Sequence, residues 1–250
     1  ENGRLETEHA QVQEVLESRG FSIELFDLHI PNSLPLNCRR GMIVIGDHNA
    51  MAMAFQRLDL KIPFHSCYPE SVRLFLRRRI MQTTVKDLRK TFRNPTGCFG
   101  LSQPLFVKPK DDIKLFTGFV VTDETDVSKL QGVPKRIKLY ASNVVSWQSE
   151  YRVFVTRGQI VGVRHYSGDV SKTLNMTVVR ECVELLENNP NERTSAYGID
   201  FGVLDNGETA MVEWNDGYAL GSYGLDPELY TTLLLTRWQE LIGTSNKEGE

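Results

Sequence analysis

The chain has 250 residues, of which 40% are apolar and 24% charged, a composition typical of a folded globular protein and not of a disordered, collagen-like or disulfide-stapled one. The net charge of −3 argues against general polyanion binding, and no apolar run approaches the roughly 20 residues of a membrane span. The four cysteines are scattered without a Cys-x-x-Cys pair, so we expect neither a zinc cage nor a disulfide framework, and the predicted location is the reducing cytoplasm.

The N-terminal part predicts an alternation of helices and strands. The spacing of apolar residues predicts a helix over residues 5–19, and apolar runs predict strands at 21–26 and 42–46. Asp47 then begins a second helix that extends to Phe55. This alternation predicts a small α/β unit with a parallel sheet.

Residues 69–93 are predicted to be helical and carry eight basic side chains against two acidic ones. One interpretation is a solvated helix face whose aliphatic stems cover apolar surface. The other is a phosphate-facing surface for a nucleotide or nucleic acid, although few aromatic residues that could stack on bases accompany the charge. Because the character of the chain changes after this stretch, we divide it into an N-terminal α/β domain, residues 1–94, and a second domain, residues 95–250.

The second domain is predicted to consist of strands, turns and two late helices. In chain order the elements are strands at 104–108, 115–121 and 137–145, a hairpin at 150–165, a helix near 174–187 and a hairpin at 198–215. A terminal helix begins with Asp226 as N-cap and Pro227 in the first turn, and it is expected to bury Leu229, Leu233 and Leu241.

The hairpin at 198–215 carries candidate metal ligands. Asn206-Gly207 predicts a two-residue type I′ turn, which places Asp200 opposite Glu213, with Asn215 on the same face. Two carboxylates about 5 Å apart repel by roughly 3 kcal/mol at an effective dielectric of about 20, and a divalent cation reverses that sign. Ligands that are all oxygens suit Mg²⁺ or Mn²⁺, which takes its other ligands from water and substrate phosphates. The alternative is a polar strand edge that faces solvent.

The hairpin at 150–165 carries two candidate anion-binding arginines. If its loop holds the three residues Thr156-Arg157-Gly158, then Glu150, Arg152 and Arg164 share one face, whereas a two-residue loop would put the arginines on opposite faces. Arginine binds phosphate and carboxylate groups through two parallel hydrogen bonds. The alternative is a ligand-free salt bridge between Glu150 and Arg164.

Other candidate groups lie in the strand at 104–108 and after it. Lys108 places a point charge at a sheet edge where phosphates could bind, and Lys114 to Gly118 could close over them. The sequence has neither a Walker loop nor a Gly-x-Gly-x-x-Gly motif, which excludes the two commonest nucleotide cradles. It also lacks a Gly-x-Ser-x-Gly elbow and a metal-spaced histidine pair, so serine hydrolase chemistry is not expected.

Several of these segments together carry a resemblance to a known superfamily. They are Val107-Lys108-Pro109, Lys114 to Gly118, Glu150 to Val155, Arg164 and Asp200 followed by Glu213-Trp214-Asn215. In this order they resemble the ATP-grasp superfamily, and most closely its clade marked by two arginines and a lysine. The likeness covers residues from about 95 to 225, and the resemblance implies an α/β (α+β) fold in which a small N-terminal α/β domain precedes the ATP-grasp fold.

The resemblance also implies a nucleotide site. Lys108 and Lys114 would contact the nucleotide phosphates, and the backbone from Ala141 through Ser142 to Val144 would form the hinge that recognises adenine. The sequence departs from the wider superfamily because Lys114 to Gly118 stands where a Gly-rich flap is usual after Lys108.

The reacting groups are assigned by the same resemblance. Arg152 and Arg164 would hold the phosphoryl or acyl-phosphate oxyanion, and the ligands of Mg²⁺ bridging the ATP β- and γ-phosphates would be Asp200, Glu213 and Asn215. The implied function is an ATP- and Mg-dependent ligase that joins a small-molecule or peptide carboxylate to an amine or thiol. One alternative is an ATP-dependent enzyme that acts on an alcohol or on a nucleic acid bound by residues 69–93, and the other is a non-catalytic nucleotide-binding module.

Overall fold

A computed structural model describes residues 5–27, 42–61, 66–93, 101, 103–111 and 115–245 of the chain. The chain forms two compact units, a central unit of residues 76–146 and a discontinuous unit made of residues 1–75 and 147–250. Among the described helices, none combines the length and the apolar character that crossing a bilayer would require.

The central unit is built on a four-stranded antiparallel sheet. Its strands are β1 (Ile80–Thr84), β2 (Leu105–Pro109), β3 (Phe119–Val121) and β4 (Lys138–Asn143), in the order β1-β4-β2-β3. The helices are α3 (Val85–Arg93) and the short α4 (Glu124–Val127). Side chains from the sheet and from both helices bury one core, which includes Leu88, Leu105 and Leu139. The unit therefore has a hydrophobic core of its own.

The discontinuous unit contains the second sheet. Its strands are β5 (Trp147–Thr156), β6 (Gln159–Gly168), β7 (Ala196–Leu204) and β8 (Thr209–Asp216), in the order β6-β5-β7-β8, with every neighbouring pair antiparallel. Its helices are α1 (Thr7–Ser18), α2 (His48–Leu58), α5 (Met176–Glu187) and α6 (Pro227–Ser245). Every residue of β7 is buried, as expected for an inner strand covered on both faces.

The two N-terminal helices and the terminal helix confirm their predicted positions. The Asp47 carboxylate caps α2 by accepting from the backbone N–H groups of Asn49 and Ala50, and Asp226 caps α6 in the same way. Within α6, Leu233 and Leu241 are buried as expected. Leu229 is 40% exposed, so its predicted burial was wrong.

The predicted N-terminal parallel sheet is not formed by the described residues. Residues 21–27 and 42–47 have no regular secondary structure, so the strands predicted at 21–26 and 42–46 were wrong. Some of their apolar side chains are nevertheless packed, since Val44 is part of the core around Trp238 and Ile23 packs on the core around Leu233. Phe21 and Leu25 are exposed. These apolar runs therefore do not mark strands of a sheet, and the cores that Val44 and Ile23 join both include side chains of α6.

The basic stretch at 69–93 is not one helix. It contains a 3-10 helix (Glu70–Leu76), a turn at Arg77, strand β1 and helix α3. Arg77 has a φ of 51°, which ends the helical path, and the chain then enters the sheet beside β4. The basic residues are thus divided among the 3-10 helix, the turn and α3, and they do not form the continuous helix face on which the nucleic-acid interpretation depended.

The division into compact units also differs from the predicted boundary at residue 94. Strand β1 pairs along its whole length with β4, which joins residues 76–93 to the central unit. The first 75 residues belong with the last sheet and α6 instead. The change of composition after residue 93 therefore does not coincide with a boundary between the units.

Candidate functional site

The hairpin of β7 and β8 has the predicted register but not the predicted turn. Leu204 donates its backbone N–H to the carbonyl of Glu208 at 2.8 Å, which leaves a three-residue loop that ends with Gly207 at a φ of 84°. A bulge at Val212 then shifts the pairing by one residue, so that Asp200 lies opposite Glu213. The two-residue turn was wrong, whereas the predicted facing of the two carboxylates is confirmed.

In the hairpin of β5 and β6 the two arginines also face each other, although its loop is the shorter of the two alternatives. Its loop has two residues, Arg157 and Gly158, with φ values of 50° and 74°, as in a type I′ turn. A bulge at Val161 shifts the pairing by one residue, and Arg152 lies directly opposite Arg164. Of the two loop lengths that the sequence left open, the structure has the two-residue one, but the two arginines share a face because the bulge compensates for the shorter loop.

The two hairpins together form one row of charged residues across the sheet. Arg152 is paired in register with Arg164 on β6 and with Asp200 on β7, and Asp200 is paired with Glu213 on β8. Directly opposed residues of antiparallel strands project from the same face. Residues from separate sequence motifs thus meet on one face of the sheet, in what we call the charged row: Arg164, Arg152, Asp200 and Glu213.

The centre of the charged row is a buried ion pair. Arg152 donates from Nε and Nη2 to the two carboxylate oxygens of Asp200, both at 2.8 Å. Burial raises the pKa of Asp200, and the hydrogen bonds from Arg152 oppose that rise without cancelling it. Burial lowers the pKa of Arg152, but the bonds and the charge of Asp200 outweigh it and raise the pKa overall. Arg152 therefore supplies a positive charge beside Asp200. From the sequence, we had expected a divalent cation to offset the repulsion between Asp200 and Glu213.

Arg164 has a different environment. Its Nε donates to the carbonyl of Gly224 at 2.9 Å, and no carboxylate among the described residues lies within salt-bridge distance of it. The alternative salt bridge with Glu150 is not formed, since Glu150 accepts instead from the hydroxyl of Tyr166 at 3.2 Å. Two arginines that face each other repel, and only Arg152 is neutralised by a described carboxylate. An anion beside Arg164 would remove that repulsion.

Glu150 lies on the same face of β5, two residues before Arg152. Burial raises the pKa of its carboxyl, and the nearby charges of Asp200 and Glu213 add to the rise, while the hydrogen bond from Tyr166 opposes it. The face that carries the arginines is therefore also lined by partly desolvated carboxylates, so the charges of both signs there interact strongly.

The predicted metal ligands are near one another. Asn215 donates from Nδ2 to Asp200 at 3.2 Å, and Asp200 is in register with Glu213. Within the described part of the chain, no group of three or more His, Cys, Asp and Glu side chains is arranged to hold a metal ion. The predicted set has two carboxylates and one amide, which fits the small number of protein ligands that Mg²⁺ takes when water and phosphates complete its shell.

The predicted nucleotide residues lie in the central unit. Lys108 is on β2 opposite Tyr140, and Ser142 is buried on β4 between Ile80 and Phe106. Val144 follows β4 and is 41% exposed, just before the chain passes into the discontinuous unit at Trp147. Lys114 lies outside the described residues.

Glycine is needed at position 118 for a packing reason that the sequence did not reveal. A Cβ at this position would lie 2.5 Å from Cζ of Phe106 and 3.1 Å from Cβ of Lys108. The glycine therefore makes room for the side chains of the neighbouring strand. The sequence had instead suggested close approach of its backbone to a phosphate.

One group at the site was missed from the sequence. Tyr223, in the loop before α6, has its ring 4.8 Å from the guanidinium carbon of Arg152 and stacked on Tyr166 at 4.9 Å. No motif marks this tyrosine, because the contact joins a loop to two strands far away in sequence. The only local signal is Gly224 beside it, where positive φ is common.

Solved structures with similar folds include the ATP-grasp ligase PsnB in complex with a minimal precursor (14% identity, TM-score 0.41, 68% of this chain and 60% of that one). Another is N5-carboxyaminoimidazole synthase of Aspergillus clavatus with ADP and 5-aminoimidazole ribonucleotide (12% identity, TM-score 0.46, 92% of this chain and 76% of that one). A third is D-alanine–D-alanine ligase of Bacillus anthracis with ATP (15% identity, TM-score 0.43, 96% of this chain and 76% of that one). The chain thus spans less than two thirds of the length of PsnB.

A comparison with curated proteins finds no match. A family model for the ATP-grasp domain, the second family of the clade named for two arginines and a lysine, matches residues 75–233, which include the whole charged row and both hairpins. The predicted superfamily and the mixed α/β fold class are therefore confirmed. Since the match covers well over half of its residues, this chain belongs to that second family of ATP-grasp domains in the two-arginine, one-lysine clade.

Proposed function

We propose that the chain is an ATP-dependent ligase that joins a carboxylate to an amine or thiol through an acyl phosphate. The observation that carries the proposal is the charged row, in which Arg164 faces Arg152 without a described carboxylate of its own. The family membership supports ATP as the second ligand. Two arginines beside oxygen ligands suit transfer of a phosphoryl group to a carboxylate, because cationic groups stabilise the charge on the transferring phosphoryl group.

The arginines would bind the oxyanions of the reaction. Two of the five N–H groups of Arg152 bind Asp200, which leaves three without a partner among the described residues. These N–H groups and those of Arg164 would hold the substrate carboxylate while its oxygen attacks the γ-phosphorus and the bond to the ADP oxygen breaks. They would then hold the acyl phosphate while the amine attacks the acyl carbon, loses a proton and releases inorganic phosphate.

Asp200, Glu213 and Asn215 would hold Mg²⁺ or Mn²⁺. When bound there, the cation would withdraw charge from the β- and γ-phosphates of ATP. The protein groups contribute by keeping the oxygen ligands on one face of a rigid hairpin.

The residues assigned to nucleotide binding are also part of this proposal. Lys108 and Lys114 would contact phosphates, and the backbone of Ser142 to Val144 would recognise adenine. Val144 supports this assignment because it lies beyond the end of β4, so its backbone is outside the described strand pairing. The cytoplasmic location also stays a prediction.

The test is a screen for ADP release with amino acids, peptides and RNA as substrates, in which product masses are recorded. We expect release to depend on a carboxylate and an amine and to disappear in Glu213→Gln, since the amide removes one negative oxygen ligand. Glu208→Gln, an exposed change on the same hairpin, serves as the control with full activity. Full activity in Glu213→Gln would refute the metal assignment.

The same screen separates the alternatives. Products that contain an RNA end or an alcohol would replace the proposed acceptor, and the described structure gives that interpretation no continuous basic helix face. ATP binding without ADP release across the whole panel would indicate a non-catalytic nucleotide-binding module.

A further inference from the structure

The loop at residues 220–225, between β8 and α6, packs on the face of the sheet that carries the charged row. Its Leu225 and Leu220 are buried against strand positions occupied by glycine. A Cβ on Gly162 would lie 2.3 Å from Cδ1 of Leu225, and one on Gly198 would lie 3.1 Å from the methyl groups of Leu220. The sheet is thus shaped to receive this loop directly beside the arginines.

Polar contacts hold the loop at both ends. The backbone N–H of Ser222 donates to the carboxylate of Glu8 on α1 at 2.7 Å, and the hydroxyl of Tyr230 donates to the carbonyl of Leu220. Arg164 donates to the carbonyl of Gly224 at 2.9 Å. The loop is therefore fixed independently by α1, by α6 and by one member of the charged row.

Tyr223 is held in a conformation that costs free energy. Its φ is 45°, a region that bulky L residues rarely adopt, and it is followed by Gly224 at 74°. The conformation places the ring 4.8 Å from the guanidinium carbon of Arg152, with the other contact of the ring on Tyr166. Strain that the surroundings maintain is common where a side chain must be oriented for function.

We propose that Tyr223 is a positioning residue for Arg152, and this inference rests on the proposed ligase function. Asp200 fixes one edge of the guanidinium through two hydrogen bonds, while the ring of Tyr223 restricts its tilt about that edge. The three remaining N–H groups are thereby directed to one place before the substrate binds. Since 47% of Tyr223 is exposed, the residue can be replaced without opening a buried core.

The test compares Tyr223→Asn with Tyr223→Phe. Asparagine tolerates positive φ but has no ring, so in Tyr223→Asn the relief of backbone strain offsets the lost ring contacts, and the variant should fold while losing the contact with Arg152. We expect kcat/KM for the carboxylate substrate to fall by about tenfold to a hundredfold, with KM for ATP unchanged, because a displaced binding group loses that much. Tyr223→Phe keeps the ring and should retain wild-type kinetics.

A second measurement does not depend on catalysis. The exchange rate of the Arg152 Nε–H with solvent, followed by NMR, should rise by about tenfold in Tyr223→Asn because the guanidinium opens more often. The Nε–H of Arg237, which donates to Asp216, is the internal reference and should not change. Leu229→Ala, at a similarly exposed position, is the matched control variant and should leave both readouts unchanged.

The outcomes distinguish the two proposals. If wild-type protein releases no ADP with any acceptor, the proposed ligase function fails, while the Arg152 exchange rate still tests the role of Tyr223. If wild-type protein is active and Tyr223→Asn matches it in kinetics and in exchange, Tyr223 does not position Arg152 and the inference is overturned. A loss of activity that tracks only a loss of stability would overturn it as well.

Discussion

A buried arginine joins the end of β8 to the last helix. Arg237 is 2% exposed and donates to both carboxylate oxygens of Asp216, at 2.6 and 2.7 Å, and to Glu240 at 2.6 Å. Glu240 also accepts from the N–H and the hydroxyl of Ser195, just before β7. Asp216 directly follows Asn215, so this network fixes the strand end that carries a proposed metal ligand.

The network predicts how stability depends on pH. Burial raises the pKa of Glu240, but the hydrogen bonds from Ser195 and the charge of Arg237 outweigh it and keep the pKa below its usual 4.5. Ionised Glu240 therefore stabilises the fold above pH 4.5, and this contribution is lost as the pH falls through the lower folded pKa. We expect Glu240→Gln to lower the free energy of unfolding by about 1 to 2 kcal/mol at pH 7.

The measurement is urea unfolding of wild type and Glu240→Gln between pH 3 and pH 7. The difference between the two proteins should shrink as the pH falls, because protonated glutamic acid and glutamine carry the same charge. Glu181→Gln, an exposed change on α5, should leave stability unchanged. A difference that stays constant over the whole range would contradict the assigned ionisation.

At the scale of elements, the two hairpins show what sequence patterns can and cannot specify. Asn206-Gly207 correctly located a turn, and alternation correctly placed Asp200 opposite Glu213. The β7–β8 loop has three residues where two were predicted, and the β5–β6 loop has two, the alternative for which the arginines were expected on opposite faces. The bulges at Val212 and Val161 restored the facing of the charged residues. A bulge depends on pairing with a strand partner and has no local sequence signal here, so the predicted facing was right while the turn chemistry was wrong.

Gly168, the last residue of β6, offers a test of close backbone approach in this sheet. Its φ is 79°, and a Cβ would lie 2.3 Å from the carbonyl oxygen of Gln148. Gly207 has a similar φ of 84° but nothing within 4 Å of its Cβ position. Gly207→Ala should therefore lower the free energy of unfolding by about 1 to 2 kcal/mol, because alanine is strained in the left-handed conformation. Gly168→Ala should lower the free energy of unfolding further, because backbone atoms at Gln148 must also move.

Equilibrium denaturation of the two alanine variants measures this difference directly. The expected result is a lower unfolding midpoint for Gly168→Ala than for Gly207→Ala. Both glycines have positive φ, so the cost of that conformation cancels in the comparison. The difference between the two midpoints therefore measures the steric contact at residue 168. Equal midpoints would show that the β5 backbone near Gln148 yields without significant cost.

For the whole molecule, the sequence indicated the superfamily and the residues of the charged row, but not how the chain is divided. Motifs such as Asp200 with Glu213-Trp214-Asn215 lie within single hairpins, where spacing determines which residues face each other. The division into units depends on contacts between distant segments. Val12 of α1, for example, packs with Phe154 and Leu233, and no local pattern encodes that choice of partners.

These contacts predict that the two candidate fragments behave differently in isolation. The buried residues of the core that includes Leu88, Leu105 and Leu139 all lie between Val85 and Ala141, so a fragment of residues 76–146 should fold by itself. A fragment of residues 1–94 should not, because Val12 and Leu16 are buried by residues after 147, and Phe55 and Met51 are buried against α6. Removing those partners would return this apolar surface to water, at about 25 cal/mol for each Å² exposed. Circular dichroism and amide NMR dispersion of both fragments measure the outcome, and a cooperatively folded 1–94 fragment would show that the N-terminal region is an independent domain after all.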